Sequence, residues 1–280
     1  MGKGATITNL NGVTKGMAHI EGTDLYYEIA GQGPPLVLVH AGFVDSRMWD
    51  EQFSVFAQQY RVLRYDLRGF GKSKLSPGPF SHRQDLHRLL NFVGLERAHL
   101  LGCSMGGGVV VDFTLEHPEK VASLVLVSSA LGGYPMTGEM PKPMQELMDA
   151  LQAKDLARAA EIAGRLWIAG PHRTPEQVDK GILGRAREMS LTALPNIFVK
   201  EEPLVPPAFE RLAKIVAPTL VMVGELDDAS IATIGGFLNA HIAASQEEII
   251  SGAAHLPSME KPEEFNRIVL EFFKSQPTFS

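Results

Sequence analysis

The chain has 280 residues, a net charge of −6 and an isoelectric point near 5.9. This acidic balance, together with the lack of a basic run, argues against a nucleic-acid partner. The length suits one large domain, or one domain that carries an insertion. Cys103 is the single cysteine, so no intrachain disulfide can form, and we expect a reducing compartment such as the cytoplasm.

The N-terminal residues 1–16 are polar and rich in turn-forming residues. They lack the apolar stretch of a secretory signal, and we expect a flexible extension or a remnant of cloning, with Met17 as an alternative start. No later window approaches the roughly 18 consecutive apolar residues of a membrane span. The sequence therefore predicts no membrane association.

Short apolar runs alternate with helical patterns from residue 17 to residue 131. This alternation is typical of a mostly parallel sheet covered by helices on both faces. Strands are predicted at residues 24–29, 36–40, 61–66, 98–103 and 121–127. Helices are predicted between them at residues 49–59, 81–93 and 104–117.

The pattern changes in residues 132–213, which contain no convincing strand. Helical segments are predicted there at residues 144–153, 156–169, 175–189 and 207–215. Strands resume at residues 219–224 and 247–250, and a helix closes the chain at residues 262–274. We therefore predict an α/β core in two parts, residues 17–131 and 214–280, with residues 132–213 inserted as a helical cap.

The segment GCSMG at residues 102–106 has the G-x-S-x-G spacing and lies where a predicted strand meets a predicted helix. A serine at such a turn is lifted above the sheet in a strained conformation, and Gly102 and Gly106 remove side chains that would clash with the turn. Ser104 is the candidate nucleophile. Cys103 still belongs to the strand, so it is predicted to point into the core.

Four motifs resemble those of the α/β-hydrolase family, in its capped, esterase-like branch, over residues 22–274. They are HAGF at 40–43 with Trp49, DLRGFGKS at 66–73, GCSMGG at 102–107 and GAAHLP at 252–257. The resemblance implies an α/β-hydrolase fold with a helical cap insertion. It also implies that His40, Asp66 and Arg68 are structural braces and not reacting groups.

A serine hydroxyl needs a base and a group that orients the base. His255 lies in a small-residue loop at the carboxyl edge of the predicted sheet, where open α/β sheets place their ligands. The family pattern G-x-x-D at residues 224–227 selects Asp227 as the acid. Asp228 is the alternative, although it is better suited to cap the next helix.

An oxyanion intermediate needs two N–H donors held in place. One is expected to be the amide of Met105, which follows the candidate nucleophile. The resemblance aligns Gly42 with the second donor, and Phe43 takes its place if the loop shifts by one residue. No metal or other cofactor is needed for this chemistry.

These residues predict a serine hydrolase that cleaves a small-molecule carboxylic ester or lactone through an acyl-enzyme, working as a monomer or homodimer. The segment at residues 61–71 resembles 3-oxoadipate enol-lactonases, which makes such a lactonase the first alternative. That substrate would need a cation, for which Arg47, Arg165 and Arg185 are candidates. Cofactor-free perhydrolysis, C–C bond hydrolysis and a receptor-like binding protein on the same fold remain open. Haloalkane dehalogenases and epoxide hydrolases use an aspartate nucleophile, which Ser104 excludes.

Overall fold

A computed structural model describes residues 8–10, 12–135 and 140–276. The strands in these ranges are β1 Thr8–Leu10, β2 Val13–Ile20, β3 Thr23–Ala30, β4 Pro35–Val39, β5 Arg61–Tyr65, β6 Ala98–Cys103, β7 Val121–Val127, β8 Thr219–Gly224 and β9 Ser245–Ile250. The α-helices are α1 Asp50–Phe56, α2 His82–Phe92, α3 Met105–Glu116, α4 Lys142–Gln152, α5 Leu156–Ala163, α6 Lys180–Ala193, α7 Ala229–His241, α8 Pro257–Glu260 and α9 Pro262–Lys274.

Within the described ranges, the nine strands form one sheet in the order β1-β2-β3-β5-β4-β6-β7-β8-β9. β1, β2, β3 and β5 pair antiparallel to one another in that sequence, whereas the remaining pairs are parallel. The predicted fold class, an α/β protein with a mostly parallel sheet, is confirmed. Because β4, β6, β7 and β8 run parallel, the segments that follow them all start at the same edge.

The central strands of the sheet are buried on both faces, which explains why they are continuous apolar runs. In β4, Leu36 and Leu38 belong to a core shared with α1 and α9, while Val37 and Val39 belong to a core shared with α2, α3 and α7. Alternate residues of one strand thus pack against helices on opposite faces.

The N-terminal prediction differs from the structure for residues 8–10 and 13–16, which lie in β1 and β2 and not in a flexible extension. Lys15 lies directly opposite Glu28 in the antiparallel pair, with an ion-pair distance of 2.9 Å between Lys15 Nζ and Glu28 Oε1. Pairing with a strand later in the chain stabilises this polar segment, and its own composition does not reveal that partner. Residues 1–7 and 11 lie outside the described residues.

The described part of residues 132–213 contains α4, α5, α6 and shorter helical turns. The predicted helix at 156–169 is α5 followed by a π turn at Gly164–Ala169, and the predicted helix at 175–189 is a short 3-10 turn followed by α6. The predicted helix at 207–215 is only two 3-10 turns. We refer to residues 140–204 as the cap. None of the helices in the described ranges is both long and apolar enough to cross a membrane.

The turn between β6 and α3 requires glycine where backbones meet. A Cβ atom on Gly106 would lie 2.6 Å from the carbonyl oxygen of His40 and closer still to that of Val39, so α3 can approach β4 only without a side chain there. At Gly108 the nearest atom to such a Cβ would be 3.6 Å away, which is an ordinary contact. A side chain at Gly108 would therefore not prevent α3 from packing against its neighbours, although a glycine in such a helix usually serves close packing.

Gly106→Ala is expected to destabilise the protein by about 3 kcal/mol or more, because backbone atoms cannot move away as a side chain could. Gly108→Ala is the matched control on the same helix, and it should change stability by no more than about 1 kcal/mol, in the stabilising direction that helix propensity favours. Urea unfolding followed by circular dichroism measures both. Equal midpoints for the two variants would contradict this account of the turn.

Candidate active site

Ser104 lies between the end of β6 and the start of α3 with φ 52° and ψ −116°. A positive φ is costly for a residue with a side chain, and the surrounding hydrogen bonds hold it. The Ser104 N–H donates to the carbonyl of Val127 at 2.9 Å, and the Ser104 carbonyl accepts from the N–H groups of Gly108 and Ala130. These bonds tie the turn to the neighbouring strand β7 and lift the hydroxyl out of the sheet.

The structure brings Ser104, His255 and Asp227 into one hydrogen-bonded row. The distance from Ser104 Oγ to His255 Nε2 is 2.9 Å, and the distances from His255 Nδ1 to Asp227 Oδ2 and Oδ1 are 2.9 and 3.1 Å. A carboxylate only accepts, so Nδ1 carries the proton and Nε2 of a neutral ring is free to accept the Ser104 hydroxyl proton. The imidazole and the carboxylate are buried.

The two candidate acids have different environments. Asp228 caps α7, where its carboxylate accepts from the N–H of Ser230 at 2.8 Å. Asp227 follows β8 and contacts His255. Burial by itself raises the pKa of the Asp227 carboxyl, but the positive charge that His255 carries when protonated and the hydrogen bonds from His255 and from the Asp228 N–H together bring it below its ordinary value. Asp227 is therefore an anion that can orient the imidazole.

The thiol of Cys103 is fully buried and contacts the backbone of His255, not its imidazole. Its Sγ atom lies 3.8 Å from the carbonyl oxygen of His255, and burial raises the pKa of the thiol well above its ordinary value. A thiol held neutral is a weak nucleophile. The structure places Cys103 in the core, as predicted.

Gly42 and Met105 line the same cavity as Ser104. Met105 is the first residue of α3, so its N–H belongs to the helix end that has no acceptor within the helix. The Gly42 backbone lies against the Met105 side chain, because a Cβ on Gly42 would be 3.3 Å from Met105 Sδ. The Phe43 ring stacks on Trp167 of the cap with 4.4 Å between ring centroids, so its side chain forms a wall of the site.

The loops around the site are held by buried polar groups that the resemblance predicted to be braces. His40 Nδ1 donates to the carbonyl of Ala41 at 2.8 Å, and His40 Nε2 accepts from the N–H of Leu67 at 2.9 Å, which uses both ring nitrogens. Asp66 accepts from the N–H groups of Ser46 and Lys72. Arg68 makes a bidentate pair with the buried carboxylate of Asp85, at distances of 2.8 and 2.6 Å.

A second ion pair, which the sequence did not indicate, fixes the loop that carries His255. Arg173 of the cap pairs with Glu260 and donates to the carbonyl of Gly252 at 3.2 Å. Glu260 in turn accepts from the N–H of Ala254 at 2.9 Å. Arg173 is thus connected through Glu260 to the residue before His255. The two partners are 87 residues apart in the chain and belong to no local motif, so only the fold reveals them.

The cavity at Ser104 has a volume of about 350 Å³. Its lining residues are Gly42, Phe43, Arg83, Ser104, Met105, Gly108, Val109, Asp112, Ala130, Leu131, Gly132, Trp167, Ile197 and Glu201. The predicted cations are not among them. Arg47 pairs with Asp45 and Glu188, and Arg165 pairs with Glu146. Within residues 8–10, 12–135 and 140–276, no group of three His, Cys, Asp or Glu side chains is arranged to hold a metal ion.

Comparison with known proteins places this site in a family context. The family model described as the alpha/beta hydrolase fold matches residues 34–262. The chain is 28% identical to carboxylesterase YbfK of Bacillus subtilis, over 85% of this chain and 80% of that protein. It is 27% identical to 3-oxoadipate enol-lactonase 1 of Acinetobacter baylyi, over 91% of this chain and 95% of that protein.

A further relative is named as a hydrolase of a different kind of substrate. The chain is 30% identical to the 2-hydroxy-6-oxononadienedioate/2-hydroxy-6-oxononatrienedioate hydrolase of Burkholderia vietnamiensis, over 91% of this chain and 93% of that protein. Among solved structures, a hydrolase from Pseudomonas aeruginosa PA01 superimposes with a TM-score of 0.76 at 28% identity, over 96% of this chain and 98% of that one. The family match spans well over half of the sequence, and the chain therefore belongs to the α/β-hydrolase family.

Proposed function

We propose that the protein is a serine hydrolase that cleaves carboxylic esters or lactones, with Ser104 as nucleophile, His255 as base and Asp227 as the group that orients it. The observation that carries this proposal is the continuous row of hydrogen bonds from Ser104 Oγ through His255 to Asp227, which opens on a cavity. Two relatives are named as a carboxylesterase and as an enol-lactonase, which supports a carboxylic ester or lactone as the bond that is cleaved.

In the proposed reaction, Ser104 Oγ attacks the substrate carbonyl as His255 Nε2 takes the hydroxyl proton. The negative oxygen of the tetrahedral intermediate accepts hydrogen bonds from the N–H groups of Gly42 and Met105, two residues that line the same cavity as Ser104. His255 returns the proton to the leaving alcohol oxygen. A water molecule, deprotonated by the same imidazole, then attacks the acyl-enzyme, and His255 gives this proton to Ser104 Oγ as the acid is released.

The cavity does not favour the alternative of an enol-lactonase with a carboxylated substrate. Arg47, Arg165 and Arg185 do not line the cavity, and Arg47 and Arg165 are each paired with carboxylates. Arg83 does line it, and Arg83 is paired with Glu116. Esters and uncharged lactones therefore fit the cavity better than a substrate with a free carboxylate.

Ser104→Ala is expected to lower kcat on p-nitrophenyl esters by about 10⁶-fold, because the three residues act as a unit. A panel of p-nitrophenyl esters of increasing acyl length, with several lactones, measures this loss and the substrate range together. Cys103→Ala is the control, since it removes the neighbouring nucleophile from the core and should keep kcat within about tenfold.

Two outcomes would overturn the proposal. One is retention of most ester hydrolysis by Ser104→Ala. The other is a loss in Cys103→Ala as large as that in Ser104→Ala while both proteins stay folded by circular dichroism.

Arg173→Ala is expected to lower kcat by about 10- to 100-fold with KM changed little. Without the Arg173–Glu260 pair, the loop that carries His255 is held less firmly, and a small shift of the imidazole away from Ser104 slows proton transfer. Arg173 does not line the cavity, so a loss of substrate binding is not expected. Arg165→Ala removes the exposed Arg165–Glu146 pair of the same cap and is the matched control.

The assays are run well below the melting temperature of each variant, so that unfolding does not contribute. An unchanged kcat in Arg173→Ala would show that the Arg173–Glu260 pair does not position His255. A rise in KM alone would instead assign Arg173 to substrate binding.

A further inference from the structure

The cavity continues from Ser104 along one face of α3. Gly108 and Asp112 follow Ser104 at intervals of four residues, and all three line the cavity. Residues at this spacing lie above one another on a helix, and eight residues rise by about 12 Å. Because Gly108 has no side chain, the helix face between the serine and the aspartate is bare.

Asp112 lies at the end of this bare face with an unused hydrogen-bonding atom. Its Oδ1 atom is buried and has no partner among the residues that the structure describes. A buried acceptor without a donor is costly, and such an atom in a native site needs an explanation. Asp112 Oδ1 also lies on the side toward Gly132 of the cavity wall, where a Cβ on Gly132 would be 3.4 Å from it.

The neighbouring charges are already engaged. Arg83 donates from Nη1 to the carbonyl of Glu202 at 2.6 Å and pairs with Glu116, with 3.1 Å between Arg83 Nε and Glu116 Oε2. Glu201 accepts from the N–H of His82 at 2.8 Å. Among these residues, Asp112 is therefore the one that lines the cavity and has a carboxylate oxygen without a hydrogen-bond donor.

We propose that Asp112 is a specificity-determining residue, which accepts a hydrogen bond from a hydroxyl, amide N–H or ammonium group at the far end of the substrate. This inference rests on the proposed function, because it places the scissile carbonyl at Ser104. The spacing along α3 selects a substituent of roughly six to nine non-hydrogen atoms between the carbonyl and the donor. The apolar lining along the way, which includes Val109 and Leu131, suits a hydrocarbon chain.

A carboxylate at the same end would be disfavoured. Asp112 is surrounded by two acids, Glu201 and Glu116, and by two arginines, Arg83 and Arg211. Arg83 is paired with Glu116, and Arg211 donates to the carbonyl oxygens of Pro206 and Leu115. When ionised, the carboxylates of Asp112, Glu201 and Glu116 outnumber these two arginines, so a substrate carboxylate at this end would meet a net negative charge.

We expect the preference for a substrate with a donor at its far end to depend on pH, because the charge of the Asp112 carboxyl changes with pH. Burial raises the pKa of the Asp112 carboxyl to about 6, and the charges of Glu201 and Glu116 add to this rise while Arg83 and Arg211 oppose it. Above that pH the carboxylate is a strong acceptor for a neutral or cationic donor. Below it, one carboxyl oxygen carries a proton and the preference for a donor weakens.

The test compares esters that differ only at the far end. p-Nitrophenyl 8-hydroxyoctanoate and p-nitrophenyl nonanoate place a hydroxyl or a methyl group on the acyl side, and 8-hydroxyoctyl acetate and nonyl acetate do so on the alcohol side. In at least one of the two pairs, the wild type is expected to show a kcat/KM about tenfold higher for the hydroxyl ester at pH 8. Asp112→Leu should remove this preference, and Asp112→Asn, which keeps one acceptor oxygen, should keep part of it.

The readout is a ratio of two substrates on one protein, so a variant that is partly unfolded still reports it. An unchanged ratio in Asp112→Leu, or a wild type that prefers the methyl ester in both pairs, would overturn the assignment of Asp112. Hydrolysis of p-nitrophenyl acetate by Asp112→Leu shows that the proposed catalytic function stands independently of this outcome.

Binding tests the assignment even if the proposed chemistry fails. Calorimetry with the Ser104→Ala protein should show tighter binding of 8-hydroxyoctyl acetate than of nonyl acetate if the donor lies on the alcohol side of the ester. If the donor lies on the acyl side, p-nitrophenyl 8-hydroxyoctanoate should bind more tightly than p-nitrophenyl nonanoate. Equal affinities within both pairs would overturn the assignment without bearing on Ser104 as nucleophile.

Asp112 should also affect stability in a way that depends on pH. Its pKa in the folded protein is about 6 against an ordinary value of 3.8, so the folded state holds the proton more tightly, and the free energy of unfolding falls as pH rises from about 4 to about 6. Asp112→Asn removes this titration, and its melting temperature is expected to exceed that of the wild type at pH 8 but not at pH 4. A constant difference at both pH values would contradict the buried, unpartnered state of Asp112.

Discussion

The close approach of α3 to β4 at Gly106 is the constraint on which the rest of the site depends. With no side chain at Gly106, the start of the helix lies against the carbonyl oxygens of Val39 and His40. That contact forces the chain to turn sharply at Ser104 and accept a positive φ. The same turn lifts the serine hydroxyl toward His255 and brings the Met105 amide beside it. Strain at one residue is thus maintained by packing across several elements, as is usual at functional sites.

The parallel arrangement of the strands explains why distant residues meet. Ser104 follows β6, Asp227 follows β8 and His255 follows β9, and the carboxyl ends of these strands share one edge of the sheet. The cap then completes the site from above. Trp167 stacks on Phe43, its carbonyl accepts the N–H of His255, and Arg173 pairs with Glu260. One segment therefore contacts both a wall of the cavity and the loop that carries His255.

Much of this arrangement could be predicted from the sequence, because it depends on local patterns of apolar residues and on short motifs. The buried strands at 98–103, 121–127 and 219–224 are continuous apolar runs, and the structure reproduces these bounds. GCSMG at residues 102–106 and GAAHLP at residues 252–257 are short motifs, so the sequence could indicate that Ser104 and His255 lie at one site. The first half of β2 could not be predicted from its own polar sequence, because it is stabilised by pairing with β3, where Glu28 lies opposite Lys15. The Arg173–Glu260 pair and the open acceptor of Asp112 could not be predicted, since both depend on how the cap and α3 meet residues far away in the chain.

The central claim is that Ser104 carries the acyl group during ester hydrolysis. Rapid acid quenching of the protein during turnover of p-nitrophenyl acetate, followed by peptide mass spectrometry, tests it most directly. We expect an acetyl group on the peptide that contains residues 102–106, located on Ser104 by fragmentation. An acetyl group that accumulates at turnover rate on another residue, such as Cys103, would contradict it.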